Sequence, residues 1–463
     1  CFSPKEWFAL VKDMTRGRPL SVILLFFAPL VLGNLFQQLY SMADTLIVGR
    51  FVGVGALAGV GSTGSLSFLV LGFVSGVCSG YSIPVAQYFG AGNHQRMRRC
   101  VGNAVLQGAV IAALLTTVTV AGARQVLTWM DTPPDILEDA YLYIVIVFGG
   151  IPATMLYNFL SGVLRALGDS RTPLFFLVAA AILNVVLDLV FILCCGMGVA
   201  GAAWATILSQ GVSGLLCLVY IWKKVPLLHL GREDLGWDGE EQRRLALMGI
   251  PMALQFSITA VGTIIIQAAV NALGSGVVAA VTAGTKVQNL LMSPLETMGI
   301  TMATYCGQNL GAERVDRVRA GLRASMKVCF LYCALACLVS CLWGGPFSRL
   351  FLTGEDTGVM VAQAARFLAV NGIFCPSLGL LLVLRNSIQG LGFGLPAMMA
   401  GVFELVARSA VAFCLVGPLG YLAICLANPA AWLAADALLA AVWFRELPGL
   451  LRRYPVDPGR PLY

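Results

Sequence analysis

Between Phe51 and Gln95 the chain contains no Asp, Glu, Lys or Arg, and none occurs from Leu245 to Thr285. Leu20 to Gly49 holds one charged residue, Asp44; Thr172 to Trp222 holds only Asp188; Asn386 to Phe444 holds only Glu404, Arg408 and Asp436. Runs of this length cannot be distributed over a water-facing surface. With 58% hydrophobic and 11% charged residues, against about 45–50% and about 25% in ordinary soluble domains, the chain lacks the polar residues to cover a soluble fold of its size. The same apolar content excludes disorder. What remains is a protein whose solvent is mostly lipid. There the backbone must satisfy its own hydrogen bonds, and the runs are too long and too little alternating for barrel strands of about 10 residues. The spans are therefore helices.

At about 20 residues per span, the pattern predicts twelve helices, centred near Leu30, Leu69, Ala113, Val147, Ala181, Leu208, Val261, Leu291, Ala334, Leu378, Leu405 and Leu433. The chain then divides into a tail (1–18), a first lobe of six helices (19–222), a hydrophilic linker (223–244), a second lobe of six helices (245–444) and a tail (445–463). Cations cluster on one side, at Arg96, Arg98, Arg99, Lys223, Lys224, Arg243, Arg244, Arg314, Arg317, Arg319 and Arg323 among others, and only Arg50, Arg124 and Arg349 fall on the other. Positive charge marks the cytoplasmic side, so both termini and the linker are expected there. The net charge of +7 follows from this bias and gives no reason to expect a nucleic-acid partner.

The two halves repeat. A shift of 221 residues lays Gln87, Gly90 and Ala91 on Gln308, Gly311 and Ala312, Asn34 on Gln255, and Gly55 and Ala58 on Gly276 and Ala279; with a small slip, Leu167-Gly168 matches Leu391-Gly392 and Pro173 matches Pro396. Six spans per half make the repeats parallel, the plan of a carrier with a central cavity between its lobes. Pro29, Pro251, Pro294 and Pro376 are expected to kink their helices.

Ionisable side chains in the bilayer are costly, about 2.5–3.5 kcal/mol at its centre, so each needs an account. Asp44 shares its helix with Asn34, Gln37, Gln38 and Ser41 in one polar stripe; the bland alternative is packing against the second helix. Asn184 and Asp188 stand one turn apart on the fifth helix. Two carboxylates and an amide carbonyl are hard oxygen ligands, suited to Na⁺ or a shared proton, because neighbouring carboxylates cannot both stay charged without a cation. Thr206 on the sixth helix either adds a hydroxyl or bonds its own i−4 carbonyl. In the second half Asp44 is replaced by Ile265, and Gln255, Thr259, Thr263, Gln267 and Asn271 form an uncharged stripe that lines a cavity or joins helices. Glu404 and Arg408, one turn apart, read as a structural ion pair, and Asp436 as a residue near a helix end with no assigned role. Cys329, Cys333, Cys337 and Cys341 climb a single helix and cannot converge on one metal ion, so they read as a small-residue packing face. No Walker or hydrolase motif is present, and His94 and His229 fall in loops, so no enzyme activity, cofactor or resident metal is expected.

Taken together, Pro29 to Gly49 with its Gln38-Leu39-Tyr40-Ser41-Met42-Ala43-Asp44 core, Gln87 to Gly92, Arg165-Ala166-Leu167-Gly168-Asp169 with Pro173, and Gln308-Asn309-Leu310-Gly311-Ala312 resemble bacterial multidrug and toxic compound extrusion (MATE) transporters, from about Arg18 to Phe444. The resemblance implies an all-α membrane protein of two six-helix lobes. It implies a monomeric antiporter in the bacterial plasma membrane, exporting small organic, cationic amphipathic compounds in exchange for H⁺ or Na⁺. It also implies a coupling site at Asp44, Asn184, Asp188 and Thr206; the polar stripes contribute Asn34, Gln37, Gln38, Ser41, Gln255, Thr259 and Thr263 as the expected lining of the substrate cavity. A lipid or lipid-linked oligosaccharide flippase is the nearest rival; it predicts more cavity cations than Lys286, Arg385 and Arg408. A receptor or scaffold has no reason to repeat its halves.

Overall fold

The computed structural model describes residues 13–130, 132–352 and 357–455. Every α-helix among them follows chain order: α1 (Pro19–Ile47), α2 (Val54–Ser62), α3 (Gly64–Gly90), α4 (His94–Trp129), α5 (Pro134–Gly149), α6 (Ile151–Ala166), α7 (Arg171–Leu189), α8 (Gly198–Lys224), α9 (Gly239–Asn271), α10 (Ser275–Gly311), α11 (Val315–Arg349), α12 (Thr357–Ile373), α13 (Cys375–Gly390), α14 (Gly394–Ala410), α15 (Val416–Leu419) and α16 (Tyr421–Arg453). Among the described residues, nine helices are long and apolar enough to cross a membrane, and the bent pairs α5–α6 (47°) and α12–α13 (52°) bring the number to eleven. The remaining expected span, centred near Leu291, lies in α10, which is 37 residues long and carries Lys286, Gln288, Asn289 and Glu296.

The repeat seen in the sequence is also written in the backbone. α7 ends in a π-helical turn at Val190–Cys194 and α14 in another at Val411–Leu415. Gly53 and Gly274 share positive φ (126° and 99°), as do Gly168 and Gly392 (85° and 93°) and Gly92 and Glu313 (66° and 60°). Glu313 is the one non-glycine of the set and holds a left-handed conformation that L-residues adopt at a cost. The sharp bends fall at Gly150 and Phe374, where a new helix begins with Pro152 or Pro376 in its first turn, a position that needs no amide hydrogen bond. Pro29, Pro251 and Pro294 instead lie inside helices that continue through them. A proline ring alone does not break a helix whose neighbours hold it.

The described residues form two compact units, one holding residues 28–253 and the other residues 14–27 and 254–455. Both cuts fall within the first helix of a repeat. In the first unit, residues 223–244, the expected linker, are bound to α4. Asn103 Oδ1 accepts from the Asp238 amide (3.0 Å) and from Gln242 Nε2 (3.0 Å), and Asn103 Nδ2 donates to the Gly236 carbonyl (3.2 Å). Arg244 then donates to Gln87 Oε1 (2.7 Å) and to the Tyr88 hydroxyl (2.5 Å). In the second unit the residue matching Gln87, Gln308, does a similar job. Its Oε1 accepts from the Met14 amide (2.9 Å), while Arg317 donates to the carbonyls of Met14 (3.2 Å) and Gly17 (2.9 Å). Met14 and Gly17 of the expected N-terminal tail are thus held by hydrogen bonds, and 445–453 of the expected C-terminal tail continue α16; 1–12 and 456–463 lie outside the described residues. Cys329 and Cys333 are buried and Cys341 is exposed, with the Cys333 thiol donating to the Cys375 carbonyl (3.4 Å), consistent with a packing stripe.

Gly102 permits the docking of residues 223–244, since a Cβ there would stand 2.1 Å from the Asp234 carbonyl oxygen. Gly102→Ala must push that backbone away, at about 1–3 kcal/mol of overpacking. Gly122→Ala, on the same helix with nothing within 4 Å of the new methyl, gains helix propensity instead. The thermal unfolding midpoint of the purified protein in detergent is expected to fall for the first and to hold or rise for the second.

Candidate functional site: a buried carboxylate pair

In the first unit α7 packs against α8, which sets Asn184 and Asp188, one above the other, toward Thr206. Asn184 and Asp188 are buried, Asp188 completely. Asn184 Nδ2 approaches Thr206 Oγ1 at 3.5 Å, and the Thr206 hydroxyl donates to the Ala202 carbonyl at 3.0 Å. The threonine thus bonds its own i−4 carbonyl, which leaves its lone pairs free to accept. Asp44, on α1, lies close enough to Asp188 for the two carboxyl groups to interact directly.

The unmet atoms are all acceptors. Asp44 Oδ1, Asn184 Oδ1 and both carboxyl oxygens of Asp188 are buried without a hydrogen-bond partner among the described residues. Orphaned buried acceptors are costly unless a proton or cation meets them. Hard oxygens without nitrogen or sulfur suit an alkali ion or H⁺ rather than a transition metal. The four residues named from the sequence are therefore brought together in one place.

Two contributors escaped the sequence. Tyr40, one turn before Asp44, and Tyr143, on α5, both lie within electrostatic range of Asp44. Spacing could have flagged Tyr40, but no local pattern ties Tyr143 to a helix a hundred residues earlier. Beside the carboxylates, the first unit has a narrow cleft of about 20 Å³, room for about one water molecule. Tyr40, Tyr157, Asn184, Thr206, Ser209 and Gln210 line it, so Asn184 and Thr206 belong to both the cleft and the carboxylate cluster.

The expected cavity residues have mixed surroundings. On α1, Gln37 and Ser41 are exposed and Asn34 and Gln38 half-buried. In the second unit Gln255 Oε1 accepts from Gln389 Nε2 (2.7 Å), while the hydroxyls of Thr259 and Thr263 donate to the carbonyls of Gln255 (3.0 Å) and Ala260 (2.7 Å). The Glu404–Arg408 pair is present at 3.3 Å, but Arg385 joins it, making a triad. Asp436, expected near a helix end, lies within α16, buried, and accepts from the Ser377 hydroxyl at 2.5 Å.

The MatE family model matches residues 29–190 and 251–414. A curated relative, the probable multidrug resistance protein YpnP of Bacillus subtilis, is 33% identical over 396 residues, 85% of this chain and 87% of its own. The probable multidrug resistance protein NorM of Thermotoga maritima is 25% identical over 391 residues, 83% of this chain and 82% of its own. Among solved structures, MATE in complex with MaL6 superposes with a TM-score of 0.89 at 21% identity, over 95% of this chain and 99% of that one.

Proposed function

Because the chain belongs to the MatE family of multi-pass membrane transporters, we propose that it is a secondary antiporter that exports small organic, cationic amphipathic compounds in exchange for H⁺ or Na⁺. Asp44, Asn184, Asp188 and Thr206 form its coupling site. The observation that carries this reading is the convergence of buried acceptor oxygens without donors on two adjacent carboxyl groups. One state of the carrier loads the cation there. The other releases it and takes up cargo at the polar positions Asn34, Gln37, Gln38, Ser41, Gln255, Thr259 and Thr263. Exchange follows because a ligand drives a two-state protein only through its unequal affinity for the states. The protein works as a monomer in the bacterial plasma membrane with both termini cytoplasmic, a placement supported by the clustering of Lys and Arg on one side.

A flippase gripping a pyrophosphate predicts more cations around the cavity than the candidates Lys286, Arg385 and Arg408, and both arginines are buried against Glu404, which favours the antiporter. In proteoliposomes, a panel of organic cations is expected to move uphill when either a proton or a sodium gradient is imposed. Absence of gradient-driven movement for every compound under both gradients would refute antiport.

A further inference from the structure

Away from the carboxylate pair, the second unit holds a buried charged cluster. Arg385 on α13 and Arg408 on α14 both donate to Glu404 on α14, Arg408 Nη2 to Oε2 at 3.3 Å and Arg385 Nη2 to Oε1. The three residues are 5%, 6% and 3% exposed in that order. Guanidinium groups stay protonated in proteins, so two positive charges face one carboxylate. Glu404 also leaves donors unmet: Arg385 Nε and Arg408 Nε and Nη1 are buried without an acceptor among the described residues. From α9, Arg408 meets bare backbone, since a Cβ on Gly262 would stand 3.1 Å from Nη1.

The fourth charged group is Asp436 on α16, within electrostatic range of Arg385 and Glu404. Its Oδ2 takes the Ser377 hydroxyl, and its Oδ1 reaches no donor among the described residues. It therefore tempers the positive potential without satisfying the arginine N–H groups. A water molecule can accept those hydrogen bonds, but an anion accepts them as charge-assisted bonds of about twice the strength.

We propose that Arg385 and Arg408 bind a small monoanion, a halide or the carboxylate of a transported compound, at the guanidinium N–H groups that Glu404 leaves unmet. The site goes beyond the coupling site of the first unit and would stand if that assignment fell. The carboxylates set its affinity: Glu404 and Asp436 both oppose the anion, so removing either negative charge strengthens binding. A purely structural cluster gives no such sign.

The test is thermal unfolding of the purified protein in detergent while chloride, bromide or benzoate replaces gluconate at constant ionic strength. The expected result for the unmodified protein is a saturable rise in midpoint. Saturation by halides points to an inorganic anion, and saturation by benzoate alone points to the carboxylate of a cargo molecule. Arg385→Gln and Arg408→Gln are expected to lose the saturable response. Asp436→Asn, which keeps all three members of the triad, should lower the apparent Kd for the anion about tenfold, by removing a like charge from a weakly screened site. Glu404→Gln should unfold earlier in gluconate and recover in the stabilising anion. Equal midpoints of the unmodified protein in all four salts would overturn the site, as would weaker binding in Asp436→Asn, a readout that survives if the arginine variants fail to fold.

Discussion

Asp188→Asn is expected to reduce uphill efflux to the rate of passive leak while leaving the protein folded and able to bind cargo. Asp188 is fully buried, neither carboxyl oxygen has a donor among the described residues, and Asp44 is its immediate acidic neighbour. The amide keeps the shape but removes the charge that attracts a cation, so cation binding no longer biases one conformation, and a gradient acting on an unbiased equilibrium does no work. Asp44→Asn should behave alike. Asn184→Ala should weaken the response less, since it removes a neutral ligand. Thr206→Ala should do least, because its hydroxyl already donates to Ala202 and approaches Asn184 only at 3.5 Å. Ile265→Ala, at the matching position of the second half, should leave coupling intact. Efflux from proteoliposomes under imposed proton and sodium gradients, paired with equilibrium cargo binding, separates coupling from recognition. Gradient-driven efflux at the unmodified rate in the Asp44→Asn, Asp188→Asn double variant would sink the assignment.

The membrane class, the helical spans and the internal repeat were legible in the sequence, because lipid tolerates so few charges that their absence marks helices. The repeat was legible where backbone geometry demands particular residues: Gly53 and Gly274, and Gly168 and Gly392, hold positive φ in both halves. The coupling cluster was legible because Asn184 and Asp188 lie one turn apart, and because an acid inside a span has to have a reason. Other features escaped because they depend on tertiary contacts. Prolines suggested bends at four positions; one of the two sharp bends does fall at Pro376, while the other falls at Pro152, where a new helix starts, and was missed. A hydrophilic stretch read as linker is bound to α4 because Gly102 and Asn103, more than a hundred residues earlier, provide a close approach and four hydrogen bonds. Arg385 gave no local sign of joining Glu404, since i, i+4 spacing reveals pairs within a helix and is silent about a residue on another helix.

That third member changes what mutation of the ion pair does. In a medium of gluconate, Glu404→Gln is expected to be the most damaging single change in the triad. It leaves Arg385 and Arg408 buried with no carboxylate between them, and breaking a buried ion pair from one side costs about 3–5 kcal/mol. Arg408→Met should cost less, because Arg385 still holds Glu404, and Arg385→Met less than Glu404→Gln for the matching reason. The simultaneous replacement Arg385→Met, Glu404→Leu, Arg408→Met removes the three charges of the triad along with their desolvation penalty and leaves Asp436 with the Ser377 hydroxyl. It is expected to restore stability to that of the unmodified protein or exceed it by about 1–4 kcal/mol, as happens when buried ion clusters give way to well-packed apolar residues. The single losses therefore cannot add to the triple loss, and their departure from additivity measures the interaction within the cluster. Midpoints of thermal unfolding for the three single variants and the triple variant test the ordering. If Arg408→Met proved the costliest, or the triple variant lost as much as the singles combined, Glu404 would not be the shared partner that both arginines depend on.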